Sequence, residues 1–95
     1  MMELYENKNG YRFHCIPFGT VNISEMVVTQ TIIDNETGKK YLLFKSAHNG
    51  KNLYIREFFG KIEDEQYVRI RNYETVKRIA IFLKNRGIEI LEYSL

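Results

Sequence analysis

The residue types that enzymes use as nucleophiles and bases are scarce in this sequence. Cys15 is the single cysteine, and the histidines are His14 and His48. A cysteine nucleophile needs a histidine within hydrogen-bond reach and a third group that orients it. His14 and Cys15 are adjacent in a predicted strand, where neighbouring side chains point to opposite faces of a sheet. We therefore predict no catalytic residues, and a buried or half-buried core position for the Cys15 thiol.

Motifs that hold metals or phosphates are also missing from the sequence. Structural zinc needs four nitrogen or sulfur ligands in close pairs, and no such pairing occurs. The acidic run Glu63-Asp64-Glu65 lacks the spaced oxygens and central glycine of a calcium loop, so we predict a solvated connection there. The glycines stand apart and form no phosphate loop. We expect no metal, no cofactor and a protein that binds a partner without catalysing a reaction.

Aromatic residues mixed with arginine are the most informative feature of the chain, which has seven tyrosines and six phenylalanines. Alternation along a predicted strand over 52–59 gives it two faces. The face carrying Leu53, Ile55 and Phe59 is the better core candidate. The opposite face and the next predicted strand repeat one mixture of rings and cations, and these are the candidate partner-binding residues: Tyr54, Arg56, Phe58, Tyr67, Arg69 and Arg71.

Three interpretations of this aromatic and arginine face stay open. It suits a protein interface, where tyrosine and arginine are common anchors, and we predict a regulator, inhibitor or accessory subunit that docks a protein partner. It also suits single-stranded nucleic acid, because rings stack on bases and cations follow phosphates. Finally, it suits a second minor core or the seam of a homodimer.

Charge is unevenly distributed along the chain, whose net charge is +2. Residues 1–38 sum to −3 and residues 39–95 to +5, and the bases concentrate in the stretch over 66–86. Within that stretch a secondary basic patch is predicted from Lys77, Arg78, Lys84 and Arg86. The patch either binds an anion or is a solvated helix face whose last turn favours cations through the helix dipole.

The order of elements predicts an α+β fold. Strands are predicted over 11–18, 21–33, 40–47, 52–59, 66–71 and 88–93. Pro17 should confine the end of the first strand to an edge or a boundary. The stretch Val21–Ile33 should form one bent strand or two strands with a bulge near Glu25. Residues 34–38 are predicted to form a turn, and Asn49-Gly50 predicts a type I′ hairpin.

One helix follows the fifth strand. Asn72 is a suitable N-cap, and Gly87 suits the C-terminal end. An apolar stripe of Val76, Ile79, Ala80 and Leu83, widened by Tyr73 and Phe82, should lie on the sheet. The prediction is a mostly antiparallel sheet of five to six strands with this helix on one face. One helix leaves the other face wet, curled into a half-barrel, or covered by a second copy in a homodimer.

Length and composition predict one domain over residues 1–95. No run of 18 apolar residues occurs, so we expect no membrane span. The first residues lack the basic and apolar regions of a signal peptide, and the lone cysteine excludes an internal disulfide. We therefore expect a cytoplasmic protein.

Overall fold

A five-stranded antiparallel sheet and a 12-residue helix dominate the part of the chain that the computed structural model describes, residues 12–61 and 64–94, with the backbone alone for Tyr93 and Ser94. The elements are β1 (Phe13–Ile23), β2 (Met26–Asp34), β3 (Lys40–Ser46), β4 (Asn52–Phe58), β5 (Tyr67–Arg69), α1 (Tyr73–Lys84) and α2 (Leu91–Ser94). The strands lie in the sheet in sequence order, so β1 and β5 are its edges. The predicted α+β fold is confirmed, and the sheet stays open instead of closing into a barrel.

The β1–β2 hairpin differs from the prediction. Ile23 pairs with Met26, and Ser24 between them takes a left-handed φ of 58° that reverses the chain within two residues. A single bent strand over Val21–Ile33 is therefore wrong, because a turn, and not a bulge, separates two strands. The expected edge position of Pro17 is confirmed, since β1 is an edge strand. β1 continues past Pro17 to Ile23, with an irregular register between Pro17 and Val21.

The turn between β2 and β3 is confirmed and is held by the carboxylate of Asp34. Asp34 Oδ1 accepts hydrogen bonds from Arg12 Nε at 2.8 Å and from the backbone N–H of Glu36 at 2.8 Å and of Thr37 at 3.2 Å. Asp34 Oδ2 accepts from Arg12 Nη2 at 3.0 Å. Burial disfavours the charge of Asp34, but these bonds outweigh it, so the pKa of this carboxyl lies below its ordinary value.

The β3–β4 hairpin is confirmed, but its turn is not type I′. The loop spans residues 47–51. Gly50 has a positive φ of 70°, whereas the φ of Asn49 is not positive. The N–H of Gly50 donates to the carbonyl of Ser46 at 2.9 Å, and the N–H of Ser46 donates to the carbonyl of Lys51 at 2.9 Å. A longer loop of this kind needs one left-handed residue at its end, which glycine supplies at little cost.

Helix α1 begins and ends where its capping residues predict. The Asn72 side chain accepts from the N–H groups of Glu74 and Thr75, and the N–H of Ile88 donates back to the Leu83 carbonyl at 2.9 Å beyond a left-handed Gly87. The predicted stripe is confirmed, with Phe82 also buried. Tyr73, however, is 66% exposed and does not widen the buried face.

The predicted last strand over 88–93 is wrong. Ile90 is buried among the side chains of α1 and the sheet, and the chain then forms the short helix α2. Neither α1 nor α2 is long and apolar enough to cross a membrane, and the described residues contain no other helix that is.

Apolar side chains form one cluster on each face of the sheet. The first cluster lies between the sheet and α1, around Phe13, Ile32, Leu43, Ile55 and Ile79. Ile55 is therefore core as predicted, whereas Phe59 is 60% exposed because it lies just beyond the end of β4. The second cluster has a fully buried centre of Val28, Leu42 and Phe44, surrounded by half-buried Phe18, Ile23, Met26, Tyr54, Phe58 and Tyr67. Every described member of the second cluster belongs to a strand.

Candidate docking face of the sheet

The predicted aromatic residues lie on the sheet face that α1 leaves uncovered, within the second cluster. The ring of Phe44 contacts the rings of Tyr54 and Tyr67, each with its centroid 5.2 Å away. Phe58 meets Phe18 edge to face at 5.8 Å. The five rings form a group of three around the buried Phe44 and a separate edge-to-face pair, and together they make up the ring layer of the second cluster.

Polar groups of the two tyrosines are placed within this layer. The hydroxyl of Tyr54 donates to the sulfur of Met26 at 2.6 Å. Burial raises the pKa of Tyr67, and the charge of Glu65 adds to the effect. The Tyr67 hydroxyl therefore stays protonated at neutral pH.

Arg56 is the most constrained cation of the face. Its guanidinium carbon lies 3.8 Å from the centre of the Tyr54 ring. Its Nη1 donates to the carbonyl of Ile55 at 2.9 Å and to the carboxylate of Glu92 at 3.2 Å. Only 19% of the Arg56 side chain is exposed. One face of the guanidinium is therefore occupied by an aromatic ring and one edge by a carboxylate.

The register between β4 and β5 brings a second arginine beside Arg56. Arg56 pairs directly with Arg69, and Phe58 pairs with Tyr67. The Arg69 side chain is 77% exposed, with Nε 3.7 Å from Glu92 Oε2. Arg71, beyond the end of β5, is also exposed. The structure thus brings five of the predicted residues onto one face, namely Tyr54, Arg56, Phe58, Tyr67 and Arg69.

The secondary basic patch lies in the other layer of the molecule. Lys77, Arg78 and Lys84 are exposed on α1, which packs on the opposite face of the sheet. Arg86 follows the helix, with its guanidinium carbon 5.6 Å from the Phe82 ring. These four bases therefore do not extend the docking face.

The candidate nucleophile and bases do not converge. Cys15 is half-buried against the first cluster, where burial raises the pKa of its thiol and the charge of Arg86 partly offsets the effect. His14 contacts the Asn35 side chain at one end of the sheet, and His48 lies 3.7 Å from Glu25 at the other. Among residues 12–61 and 64–94, no group of three His, Cys, Asp or Glu side chains is placed to hold a metal ion.

Sequence reasoning missed two contributors to this face. The predicted last strand makes Glu92 an outward strand residue, yet Glu92 contacts both Arg56 and Arg69 from α2. Met26 follows a turn that the sequence did not indicate. Neither residue has a local sequence signal, since both contacts depend on how distant elements meet.

Comparison with protein-family models, curated proteins and solved structures finds no match to this chain. The geometry of the face is therefore the basis on which a function is proposed.

Proposed function

We propose that the protein is a small binding module, a regulator, inhibitor or accessory subunit, whose sheet face receives an acidic, amphipathic segment of a partner protein. One observation carries the proposal. The second cluster is built from strand residues, and six apolar side chains around its centre stay partly exposed where α1 does not pack. Half-exposed aromatic and sulfur-containing side chains of this kind are enriched in protein interfaces.

The charges at the border of the face define the chemistry of the partner. Arg56 and Arg69 face the same carboxylate, and Arg71 is exposed nearby in the chain. A partner that presents apolar side chains to the ring layer and carboxylates to Arg69 and Arg71 would match both properties of the surface. We place this interaction in the cytoplasm, because a chain whose single cysteine is Cys15 has no internal disulfide that would require an oxidising compartment.

The ring geometry favours a protein partner over single-stranded nucleic acid. Bases stack on open aromatic faces. Here the Tyr54 ring is covered by the Arg56 guanidinium at 3.8 Å and tilts against Phe44 at 32°. Tyr67 also tilts against Phe44, at 49°. One face of the Tyr54 ring is therefore already covered by a guanidinium and is closed to a stacking base, which favours a partner with apolar side chains.

Selection from a random peptide library displayed on phage tests the proposal. We expect enriched peptides to combine Asp or Glu with large apolar residues. Binding of an enriched, fluorescently labelled peptide is then measured by anisotropy. Arg69→Glu should weaken binding by about tenfold or more, because it opposes like charges across the interface. Lys77→Glu, which makes the same charge change on α1, should leave the affinity unchanged.

Several outcomes would overturn this assignment. Failure to enrich acidic peptides would do so, as would equal weakening by Arg69→Glu and Lys77→Glu. Binding of an oligothymidylate whose affinity falls steeply with salt would favour the nucleic-acid alternative. A dimer in light scattering that Arg69→Glu dissociates would identify a second copy of the chain as the occupant.

A further inference from the structure

The contact between Glu92 and two arginines is the best-defined polar cluster on the docking face. Glu92 Oε1 and Oε2 lie 3.2 and 3.3 Å from Arg56 Nη1, and Oε2 lies 3.7 Å from Arg69 Nε. Since Arg56 and Arg69 are paired across neighbouring strands, the sheet itself holds them side by side. Two guanidinium groups thus converge on one carboxylate.

The Arg56 guanidinium is also held by contacts that do not involve Glu92. It stacks on Tyr54 and donates to the Ile55 carbonyl, and both of these groups belong to β4 itself. A guanidinium positioned in this way loses little side-chain freedom when it binds a carboxylate. Arg56 is therefore preorganised for an anion whether or not Glu92 is in place, and the strand register keeps Arg69 next to it.

The contact of Glu92 with the two arginines is weaker than the contacts of Arg56 within β4. Its distances of 3.2 to 3.7 Å exceed the roughly 2.7–2.9 Å of strong charge-assisted hydrogen bonds. Glu92 lies on the four-residue helix α2, which is too short to be stable on its own. Leu91, beside it, is 52% exposed. Leu91 therefore contributes little apolar burial that would hold α2 in place.

We propose that Arg56 and Arg69 form a carboxylate-binding site and that Glu92 occupies it in cis until an acidic ligand displaces it. The proposal rests on the proposed function for the identity of that ligand, a carboxylate of the partner segment. An incoming carboxylate can bind only those molecules in which Glu92 has left the arginines. The apparent affinity is therefore the intrinsic affinity multiplied by the fraction of such molecules. α2 would then set the threshold at which the docking face accepts its partner.

The test uses succinate as a small dicarboxylate probe and the full chain in three forms: wild type, Glu92→Gln and Glu89→Gln. Glu89 is exposed three residues before Glu92, so Glu89→Gln makes a matched change of charge. Binding is followed by NMR through the Nε–Hε signals of Arg56 and Arg69. We expect Glu92→Gln to bind succinate about tenfold more tightly than wild type, and Glu89→Gln to bind it as wild type does. Thermal unfolding of each form shows that the comparison is made on folded protein.

The outcomes separate this inference from the function on which it rests. Equal succinate affinity of wild type and Glu92→Gln would overturn competition by Glu92, and absence of binding to Glu92→Gln would overturn the carboxylate site. If selected acidic peptides still bound in either case, the docking function would stand without the site proposed here. Conversely, tight succinate binding by Glu92→Gln together with failure to enrich any peptide would support the site and overturn the proposed function.

Discussion

Replacing Asp34 with asparagine tests how the β2–β3 turn is stabilised. The carboxylate accepts two bonds from Arg12 and two from the backbone N–H groups of Glu36 and Thr37. An asparagine side chain can keep an oxygen for the backbone donors, but it has no charge and turns an N–H₂ group toward the guanidinium. Hydrogen bonds to charged groups contribute about 1.5–3 kcal/mol each. Arg12 still pairs with Glu36 at 2.8 Å in the variant, which limits the loss.

We therefore expect Asp34→Asn to lower the free energy of unfolding by about 2–3 kcal/mol at pH 7, which corresponds to a fall in Tm of about 10–20 °C for a domain of this size. Urea unfolding followed by far-UV circular dichroism measures the difference. Asp64→Asn is the matched control, since Asp64 is exposed in the loop before β5. It should change the stability by less than about 0.5 kcal/mol.

The pH dependence gives the sharper test. The folded pKa of Asp34 lies below its unfolded value of 3.8, so its charge stabilises the fold at every pH above 3.8. That contribution is lost as the pH falls through the folded pKa. Below it, the Asp34 side chain of wild type is neutral, as the asparagine side chain of the variant is at every pH. The difference between wild type and Asp34→Asn should therefore shrink toward zero in acid. A difference that persisted unchanged at about pH 2, or none at pH 7, would refute the reasoning.

Three further predictions concern single positions in and around α1 and β1. Asn72→Ala removes the N-cap and should lower Tm by about 4–8 °C, with no change expected if its bonds to Glu74 and Thr75 contribute nothing. Gly87→Ala should lower the free energy of unfolding in urea by about 1–2 kcal/mol, because alanine is strained at a φ of 81°. The added Cβ would meet no atom within 4 Å, so the backbone conformation is the only cause of this loss. An unchanged stability would show that the backbone relaxes. Cys15 should react with iodoacetamide more slowly than free cysteine at pH 8, since burial raises the pKa of its thiol, and an equal rate would contradict this.

Features set by local chemistry were predictable from the sequence. The spacing of Val76, Ile79 and Leu83, with Asn72 before and Gly87 after, determines where α1 lies and which face it buries. The same holds for the β2–β3 turn, where Asp34 and Gly38 act within a few residues of each other. In these cases the physical cause lies within the segment itself.

Features that depend on distant partners were not predictable. The stretch 88–90 alternates between apolar and polar residues, as a strand does. Alternation alone, however, does not provide an edge strand of the sheet with which it could pair. Burial of Ile90 beside α1 directs the chain into α2 instead. Ser24 at the β1–β2 reversal has none of the Asn-Gly character that usually marks such a turn.

The candidate site shows the same division between local and distant causes. Alternation correctly placed Tyr54, Arg56 and Phe58 together on the face away from Ile55. The pairing of Arg56 with Arg69 depends on the register of β4 with β5, and the contact with Glu92 spans 36 positions in the chain. Neither the strand pairing nor the Glu92 contact can be recognised from a short stretch of sequence.

The sequential order of the strands has a consequence for how the chain folds. Each strand pairs with the one that precedes it, so each ladder can close a short loop before the next strand is needed. The longest sequence separations occur in contacts with α1, as in the Phe13–Phe82 ring pair. A meander of this kind has a lower contact order than a Greek-key sheet of equal size and should fold faster. The hairpins can therefore form first, and the docking of α1 then completes the native structure.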